Sequence, residues 1–192
     1  NKKDLISAVE KSLSNKNQKP SVLLVGSKGR CGQGVSAFLD TVGIEHDKWD
    51  KEETANKGPF ESILDYDIFF NCALINAKSP PFLTNDLLKR KRNLMLIVDI
   101  SCDHDGTYNP LPVYNSLTNF KNPCHLIISR DNPIYVITID NLPSFLPNES
   151  SESFSDQLFP LLYDLPKKDQ KKSPWKESED IFLEKLAEVK SL

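Results

Sequence analysis

Short apolar runs alternate with polar, turn-rich stretches over the first three quarters of the chain. Each run is long enough for a buried strand, and helical spacing of apolar residues follows some of them. The pattern predicts strands at residues 21–25, 44–49, 68–72, 94–100, 125–129 and 134–139, and helices at 33–42 and around 84–91. This alternation is typical of an α/β fold with a doubly wound, mainly parallel sheet.

The two ends of the chain have a different pattern. Apolar residues recur at helical spacing from Leu5 to Leu13, which predicts an amphipathic helix before the first strand. Residues 150–162 and 175–189 are also helical in pattern, and Ile181, Phe182, Leu186 and Val189 form an apolar stripe in the second of them. We therefore expect two domains, with residues 1–145 forming the sheet domain and residues 146–192 forming a helical segment.

Composition and charge restrict the partners of the chain. At 192 residues it can bury a core, and its formal net charge of -3 provides no basic surface for nucleic acid or an anionic membrane. No segment is apolar over the ~18 residues that a membrane-spanning helix needs. We expect a cytoplasmic protein, although the final Lys190-Ser191-Leu192 resembles, without matching, the Ser-Lys-Leu address of peroxisomes.

The turn after the first predicted strand is rich in glycine. Gly26, Gly29 and Gly32 lie between the run 21–25 and a predicted helix, which is the arrangement of a Rossmann-type dinucleotide-binding fingerprint. Asp50 comes later, at the spacing of ~20 residues at which a carboxylate meets the adenine ribose, and a carboxylate there favours NAD over NADP. The alternative is that Asp50 ends a strand and caps the next segment of the chain.

Four cysteines lie far apart, without the Cys-x-x-Cys spacing of a zinc site. Cys31 lies in the glycine-rich turn and Cys72 follows a strand whose carboxyl end shares the same sheet edge, so we hypothesise that they can form a disulfide under oxidation. The alternative is two separate small apolar residues in a reducing cell. Asp103, His104 and Asp105 favour a solvated turn over a metal site, so no metal is expected.

Six motifs in consistent order carry a family resemblance. They are Gly29-Arg30-Cys31-Gly32-x-Gly34, Lys48-Trp49-Asp50, Gly58-Pro59-Phe60, the run from Asp67 to Cys72, Val98-Asp99-Ile100-Ser101, and the run from Ile139 to Ser144. Together they resemble the fungal, NAD-dependent, L-lysine-forming saccharopine dehydrogenases. The resemblance implies the conversion of saccharopine, NAD and water to L-lysine, 2-oxoglutarate and NADH in the α-aminoadipate pathway of lysine biosynthesis.

The resemblance also implies roles for residues along the cofactor. Gly29 and Arg30 would contact the pyrophosphate, and Asp50 and Thr54 the adenine ribose. Leu74 would line the pocket where relatives often have tyrosine.

On the nicotinamide side, the resemblance implies that Val98 faces the ring and that Asp99, Ile100 and Ser101 lie close to the substrate. The cofactor pocket would be closed by Ile139, Asp140, Asn141 and Leu142. Asn141 replaces a histidine that is frequent in relatives, which leaves its polar contact open.

Family members carry their catalytic lysine and histidine in an N-terminal half, and their C-terminal helices return to that catalytic domain. This chain shows no equivalent of that half, and His46, His104 and His125 do not match the family's histidine. The resemblance therefore implies a cofactor-binding and C-terminal part that is inactive alone. The alternatives are another NAD oxidoreductase, resembling alanine dehydrogenase, and a non-catalytic nucleotide-binding module.

Overall fold

The structure is a computed structural model that describes residues 1–16, 18–55, 57–75, 78–129, 132–164 and 174–190. The chain divides into two compact units, one formed by Lys2–Leu142 and the other by Asn1 together with Pro143–Leu192. The division into domains at residue 145 stays a prediction. None of the helices in the described residues is both long and apolar enough to cross a membrane.

The first unit alternates strands with helices. Its helices are α1 (Lys2–Ser14), α2 (Arg30–Thr41) and the short α3 (Lys51–Thr54), with 3₁₀ helices at Glu61–Asp65 and Leu87–Lys89. Its strands are β1 (Val22–Val25), β2 (His46–Trp49), β3 (Ile68–Asn71), β4 (Leu96–Asp99), β5 (His125–Ile128) and β6 (Ile134–Ile137). A 3₁₀ helix at Leu142–Phe145 leads to α4 (Pro147–Asp164) and α5 (Pro174–Lys190).

The six strands form one sheet in the order β2-β1-β3-β4-β6-β5. Every neighbouring pair is parallel except β5 and β6, which run antiparallel at one edge. Because the chain goes from β1 to β2 on one side and then crosses to β3 on the other, a topological switch point lies between β1 and β3. The predicted Rossmann-type α/β fold is confirmed.

The two faces of the sheet bury different apolar clusters. The larger core is formed by strand residues and by the 3₁₀ helices and loops that cover them: Leu23, Val25, Phe69, Ile97, Ile134, Val136, Ile63, Leu64, Phe82, Leu83, Leu88 and Leu111. On the other face Val22 packs with Leu39 of α2, and with Val42 and Ile44 after it. The predicted stripe of α1 packs against this second cluster through Ile6, Val9 and Leu13.

One predicted element is wrong. Residues 84–91 do not form an α-helix, because only Leu87–Lys89 makes a single 3₁₀ turn there. Leu87 and Leu88 are both buried in the core, so this single turn is enough to bury the apolar pair that suggested a helix. After this turn Arg90 is extended, and its guanidinium pairs with Glu61 at 2.8 Å.

In the second unit, α4 and α5 cover the segments predicted to be helical. Trp175 donates its indole N–H to the carbonyl of Leu161 over 3.1 Å, which ties the start of α5 to α4. Most of their large apolar side chains are exposed: Phe154, Phe159, Leu162, Tyr163, Ile181, Phe182, Leu183 and Val189. The stripe predicted in α5 therefore stays exposed in this chain, apart from the partly buried Leu186.

Candidate functional site

The carboxyl ends of the parallel strands bring most of the predicted site residues to one edge of the sheet. Across that edge, in strand order, lie Asp50 after β2, the glycine-rich turn after β1, Cys72 after β3, Ile100 after β4 and Thr138 after β6. Ligands of open α/β sheets bind in the crevice outside the carboxyl ends, at the switch point. We call this region the carboxyl edge.

The glycine-rich turn leaves no space for side chains at two positions. Gly26 has φ +84°, and a Cβ on it would lie 2.8 Å from the carbonyl carbon and oxygen of Cys72. A Cβ on Gly32 would lie 2.1 Å from the carbonyl oxygen of Gly26. Both positions therefore require glycine, so that the turn can close against β3 and against the first turn of α2.

The N-terminus of α2 opens directly from this turn. Gly29 is the N-cap residue, and the first helical hydrogen bond runs from the Gln33 N–H to the Gly29 carbonyl over 2.9 Å. No side chain caps this end, and the exposed Arg30 is the first helical residue. The positive end of the helix dipole and a guanidinium thus lie at one place, which favours an anionic ligand.

Asp50 is held between the glycine-rich turn and α3. Its carboxylate accepts hydrogen bonds from the Ser27 hydroxyl over 2.5 Å and from the Lys28 N–H over 3.2 Å. Its own N–H donates to Glu53 over 2.7 Å, and its carbonyl accepts from the Thr54 hydroxyl, also over 2.7 Å. Asp50 is therefore both the N-cap residue of α3 and a fixed carboxylate beside the turn, so the two interpretations of its role are compatible.

A layer of buried polar residues crosses β3, β4 and β6 where these strands end. This polar layer consists of Asn71, Asp99 and Thr138, none of which is more than 1% exposed. Asp99 Oδ1 accepts from the Asn71 amide over 2.9 Å and from the Ser101 hydroxyl over 2.6 Å. Its Oδ2 accepts from the Tyr114 hydroxyl over 2.6 Å. Asp99 is thus saturated with hydrogen bonds inside the protein.

Tyr114 joins the polar layer to the core. The Thr138 hydroxyl lies 3.4 Å from that of Tyr114, and the Tyr114 ring packs within the larger core. Burial, and then the hydrogen bond to Asp99, raise the pKa of Tyr114 above its usual range. No local sequence pattern marks Tyr114, so it was not among the predicted site residues. Asn71 could have been found from the sequence, because it is a polar residue two positions after Phe69 and therefore on the same buried face of the strand.

The predicted cysteine pair lies on either side of the turn. Cys31 is exposed and Cys72 is half-buried, and both are free thiols. Burial, followed by the charges of Cys31 and Asp99, raises the pKa of Cys72 to about 12, so its thiol is protonated at neutral pH. The Cys31–Cys72 disulfide stays a prediction.

The other predicted residues differ in exposure. Leu74 is 78% exposed, whereas Val98 and Ile139 are buried. Asp140 and Asn141 are exposed beyond β6, and Ile100, Ser101 and Leu142 are partly buried. The strand order thus brings these residues to the β3–β4–β6 end of the carboxyl edge, and Asp50, Thr54 and Arg30 to its β2–β1 end.

The three histidines have structural partners. His46 lies 2.9 Å from the Ser36 hydroxyl, His104 stacks on Tyr114 with ring centroids 6.2 Å apart, and His125 lies 3.3 Å from the Ser116 hydroxyl. The described residues contain no group of three or more His, Cys, Asp or Glu side chains that could hold a metal ion.

Comparison with known proteins identifies the family. Residues 32–188 match the family described as alanine dehydrogenase/PNT, C-terminal domain. The chain belongs to this family. The matched range begins at Gly32, so it includes nearly all of α2 and every strand after β1, but not β1 or the first part of the glycine-rich turn.

The chain is also similar to curated proteins named saccharopine dehydrogenase [NAD(+), L-lysine-forming]. The protein of Yarrowia lipolytica is 44% identical over 173 residues, which are 88% of this chain and 46% of that protein. The protein of Candida albicans is 39% identical over 194 residues, which are 97% of this chain and 50% of that protein. The predicted resemblance is confirmed, and the chain spans about half the length of these relatives.

Proposed function

We propose that this chain binds NAD and forms the cofactor-binding part of a saccharopine dehydrogenase. The observation that carries the proposal is the order of groups along the carboxyl edge: a fixed carboxylate at β2, an anion site at β1, and a buried layer at β3, β4 and β6. An extended dinucleotide needs these three environments in that order. The names and lengths of the curated relatives support the same function.

The β2–β1 end of the edge suits an adenosine diphosphate. Asp50 can accept hydrogen bonds from two ribose hydroxyls, and its charge would repel the 2′-phosphate of NADP. Ser27 and Lys28 already hold that carboxylate beside the turn. Gly26 and Gly32 let the turn pack closely against β3 and α2, so that the start of α2, with Gly29 and Arg30, would face the diphosphate.

The β3–β4–β6 end would hold the nicotinamide ring. When bound, NAD would accept a hydride there from the carbon of saccharopine that carries the secondary amine. We propose that Leu74, Val98 and the run from Ile139 to Leu142 enclose the ring, and that Ile100 and Ser101 lie on the substrate side with Asp99 behind them. The burial of Val98 and Ile139 supports this, because an apolar surface excludes water from the reacting atoms.

The exposed apolar side chains of α4 and α5 support a partner domain. We propose that they dock on the N-terminal half that the curated relatives contain and to which the general acid and base of the reaction belong. A stripe such as Ile181, Phe182 and Val189, each more than half exposed, is unusual unless another surface covers it. We place this function in the cytoplasm, where thiols such as those of Cys31 and Cys72 stay reduced.

The test is a titration of the chain with NADH and NADPH, monitored by quenching of tryptophan fluorescence, because Trp49 directly precedes Asp50. We expect saturable binding of NADH and binding of NADPH that is at least tenfold weaker. Asp50→Ala should weaken NADH binding by tenfold or more, because the ribose loses a charged acceptor. Asp40→Ala, which removes an exposed carboxylate at the other end of α2, is the matched control and should bind NADH as the unaltered chain does.

Turnover tests the substrate and the partner domain separately. Alone, the chain should form no NADH from saccharopine and NAD. Addition of the N-terminal half of the Yarrowia lipolytica relative should restore saccharopine-dependent NADH formation. Binding of NADH without any restored turnover would contradict the saccharopine assignment and leave nucleotide binding intact. Absence of binding would contradict the cofactor assignment itself.

A further inference from the structure

Asp99 is a buried carboxylate whose contacts are all internal. It pairs in register with Asn71 on β3 and is 1% exposed. Four donors reach its two oxygens: the Asn71 amide, the Ser101 N–H and hydroxyl, and the Tyr114 hydroxyl. Since these bonds occupy the carboxylate, it is not available for direct contact with a ligand.

The donors that hold Asp99 are all electrically neutral. They are an amide, a backbone N–H and two hydroxyls, and the ion pairs of the described residues do not include Asp99. Hydrogen bonds from neutral groups stabilise a carboxylate without cancelling its charge. A negative charge therefore remains in the polar layer.

This charge affects two thiols at the carboxyl edge. After burial and Cys31, Asp99 contributes to raising the pKa of Cys72 beyond β3. It also adds to the effect of burial that raises the pKa of Cys102, whose thiol lies 3.2 Å from the Asp99 carbonyl. The contribution of Asp99 to both shifts is repulsion between like charges, and the same charge attracts a cation at this end of the edge.

We propose that Asp99 is a positioning residue whose charge makes this end of the edge prefer the oxidised, cationic nicotinamide ring over the reduced, neutral ring. This inference rests on the proposed function, since it concerns the ring of a bound NAD. The charge acts on the ring without touching it. It distinguishes NAD⁺ from NADH because only the ring of NAD⁺ is positively charged. The ADP-ribose part, which is the same in both, should not be affected.

The experiment is calorimetric titration of the chain and of Asp99→Asn with NAD⁺, NADH and ADP-ribose. ADP-ribose lacks the nicotinamide ring and reports on the β2–β1 end alone. In Asp99→Asn we expect the Kd of NAD⁺ to rise about tenfold, while the Kd values of NADH and ADP-ribose change by less than about twofold. The ratio of the Kd of NADH to that of NAD⁺ should therefore fall about tenfold.

Tyr114→Phe is the matched control, because it removes a donor to Asp99 and keeps the charge. It should leave the NADH to NAD⁺ ratio within about twofold of the unaltered chain, even where the free energy of unfolding falls. Asp99→Ser is measured in parallel, because serine is smaller, carries no charge and can still accept a hydrogen bond from Asn71. If one of the two Asp99 variants does not fold, the other still tests removal of the charge. The ratio should fall about tenfold in this variant as well.

Two results would overturn the inference. Equal weakening of NAD⁺ and NADH in either Asp99 variant would mean that Asp99 only supports the fold of this edge. A ratio shifted as far in Tyr114→Phe as in Asp99→Asn would mean that hydrogen bonding, and not charge, sets it. If the unaltered chain binds none of the three ligands, including ADP-ribose, the proposed function fails, and the inference fails with it.

Discussion

At the scale of single residues, two glycines two positions apart in α2 have opposite surroundings. Gly32 faces the backbone of the glycine-rich turn, where a Cβ would lie 2.1 Å from the carbonyl oxygen of Gly26. No atom lies within 4 Å of the place that a Cβ on Gly34 would occupy. The first glycine is thus required by packing, and the second is not.

We expect Gly32→Ala to lower the free energy of unfolding by about 2–4 kcal/mol, because the rigid backbone of the turn has to move. Gly34→Ala should instead raise it by up to about 1 kcal/mol, because alanine has the higher helix propensity. Urea unfolding of both variants measures the difference. Similar losses in the two variants would show that the helix, rather than its contact with the turn, demands glycine.

Some site residues could be predicted from the sequence and others could not. The glycine-rich turn and Asp50 have a fixed spacing along the chain, which reflects the length of one strand, one helix and the next strand. Tyr114 could not be predicted, because its contact with Asp99 depends on how a long loop folds over the sheet. Ser27 was likewise missed, because its bond to Asp50 depends on the pairing of β1 with β2.

At the scale of elements, the strands and the two helices over one face of the sheet were predictable, whereas the covering of the larger core was not. A strand buried on both faces is a continuous apolar run, so Val22–Val25 and, within the run from Leu94 to Val98, most of β4 were recognisable in the sequence. The larger core, by contrast, is covered by 3₁₀ helices and loops, such as Glu61–Asp65 and Leu87–Lys89. Single turns have no hydrophobic period of their own, and for this reason the helix expected at 84–91 was wrong.

One hydrogen bond between elements should be visible in the pH dependence of stability. Tyr66, which comes directly after the 3₁₀ helix Glu61–Asp65, donates its hydroxyl to Asp47 of β2 over 2.5 Å. Burial, together with this bond, raises the pKa of Tyr66 from 10.0 to about 12. Its contribution to stability is therefore fully present below pH 10 and is lost as the pH rises to about 12.

Tyr66→Phe should remove this part of the loss of stability at alkaline pH. We expect the free energy of unfolding of the variant to fall less steeply between pH 10 and pH 12 than that of the unaltered chain. Urea unfolding at several pH values measures both slopes, with Tyr135→Phe on the exposed side of β6 as the control. If the slope of Tyr66→Phe equals that of the unaltered chain, folding does not raise the pKa of Tyr66.

At the scale of the whole molecule, each of the two units has a distinct character. The first contains the sheet, its two cores and the carboxyl edge. The second contains α4 and α5, most of whose large apolar side chains are exposed. The helical pattern of these residues could be predicted from the sequence, but the surface that covers them could not, because the spacing of a stripe does not specify its partner.

Phe182→Asp tests whether that exposed stripe is a docking surface. Phe182 is 63% exposed, so we expect the variant to retain NADH binding and to change the free energy of unfolding by less than about 0.5 kcal/mol. Turnover restored by the N-terminal half of the Yarrowia lipolytica relative should fall at least tenfold, since a carboxylate would have to be buried at the contact. Glu184→Gln, on the same helix, should retain that turnover; equal turnover in both variants would refute docking through Phe182.

The polar layer has a consequence for how this sheet can change during evolution. Asn71 and Asp99 lie two positions beyond Phe69 and Ile97 on the same strand faces, so core and polar layer are arranged in one register. An insertion of one residue within β3 or β4 would turn every later side chain of that strand to the opposite face of the sheet. It would place the Asn71 amide or the Asp99 carboxylate on the face that α1 and α2 cover. Lineages that keep this site should therefore accumulate length changes in the loops between strands, and almost none within the strands.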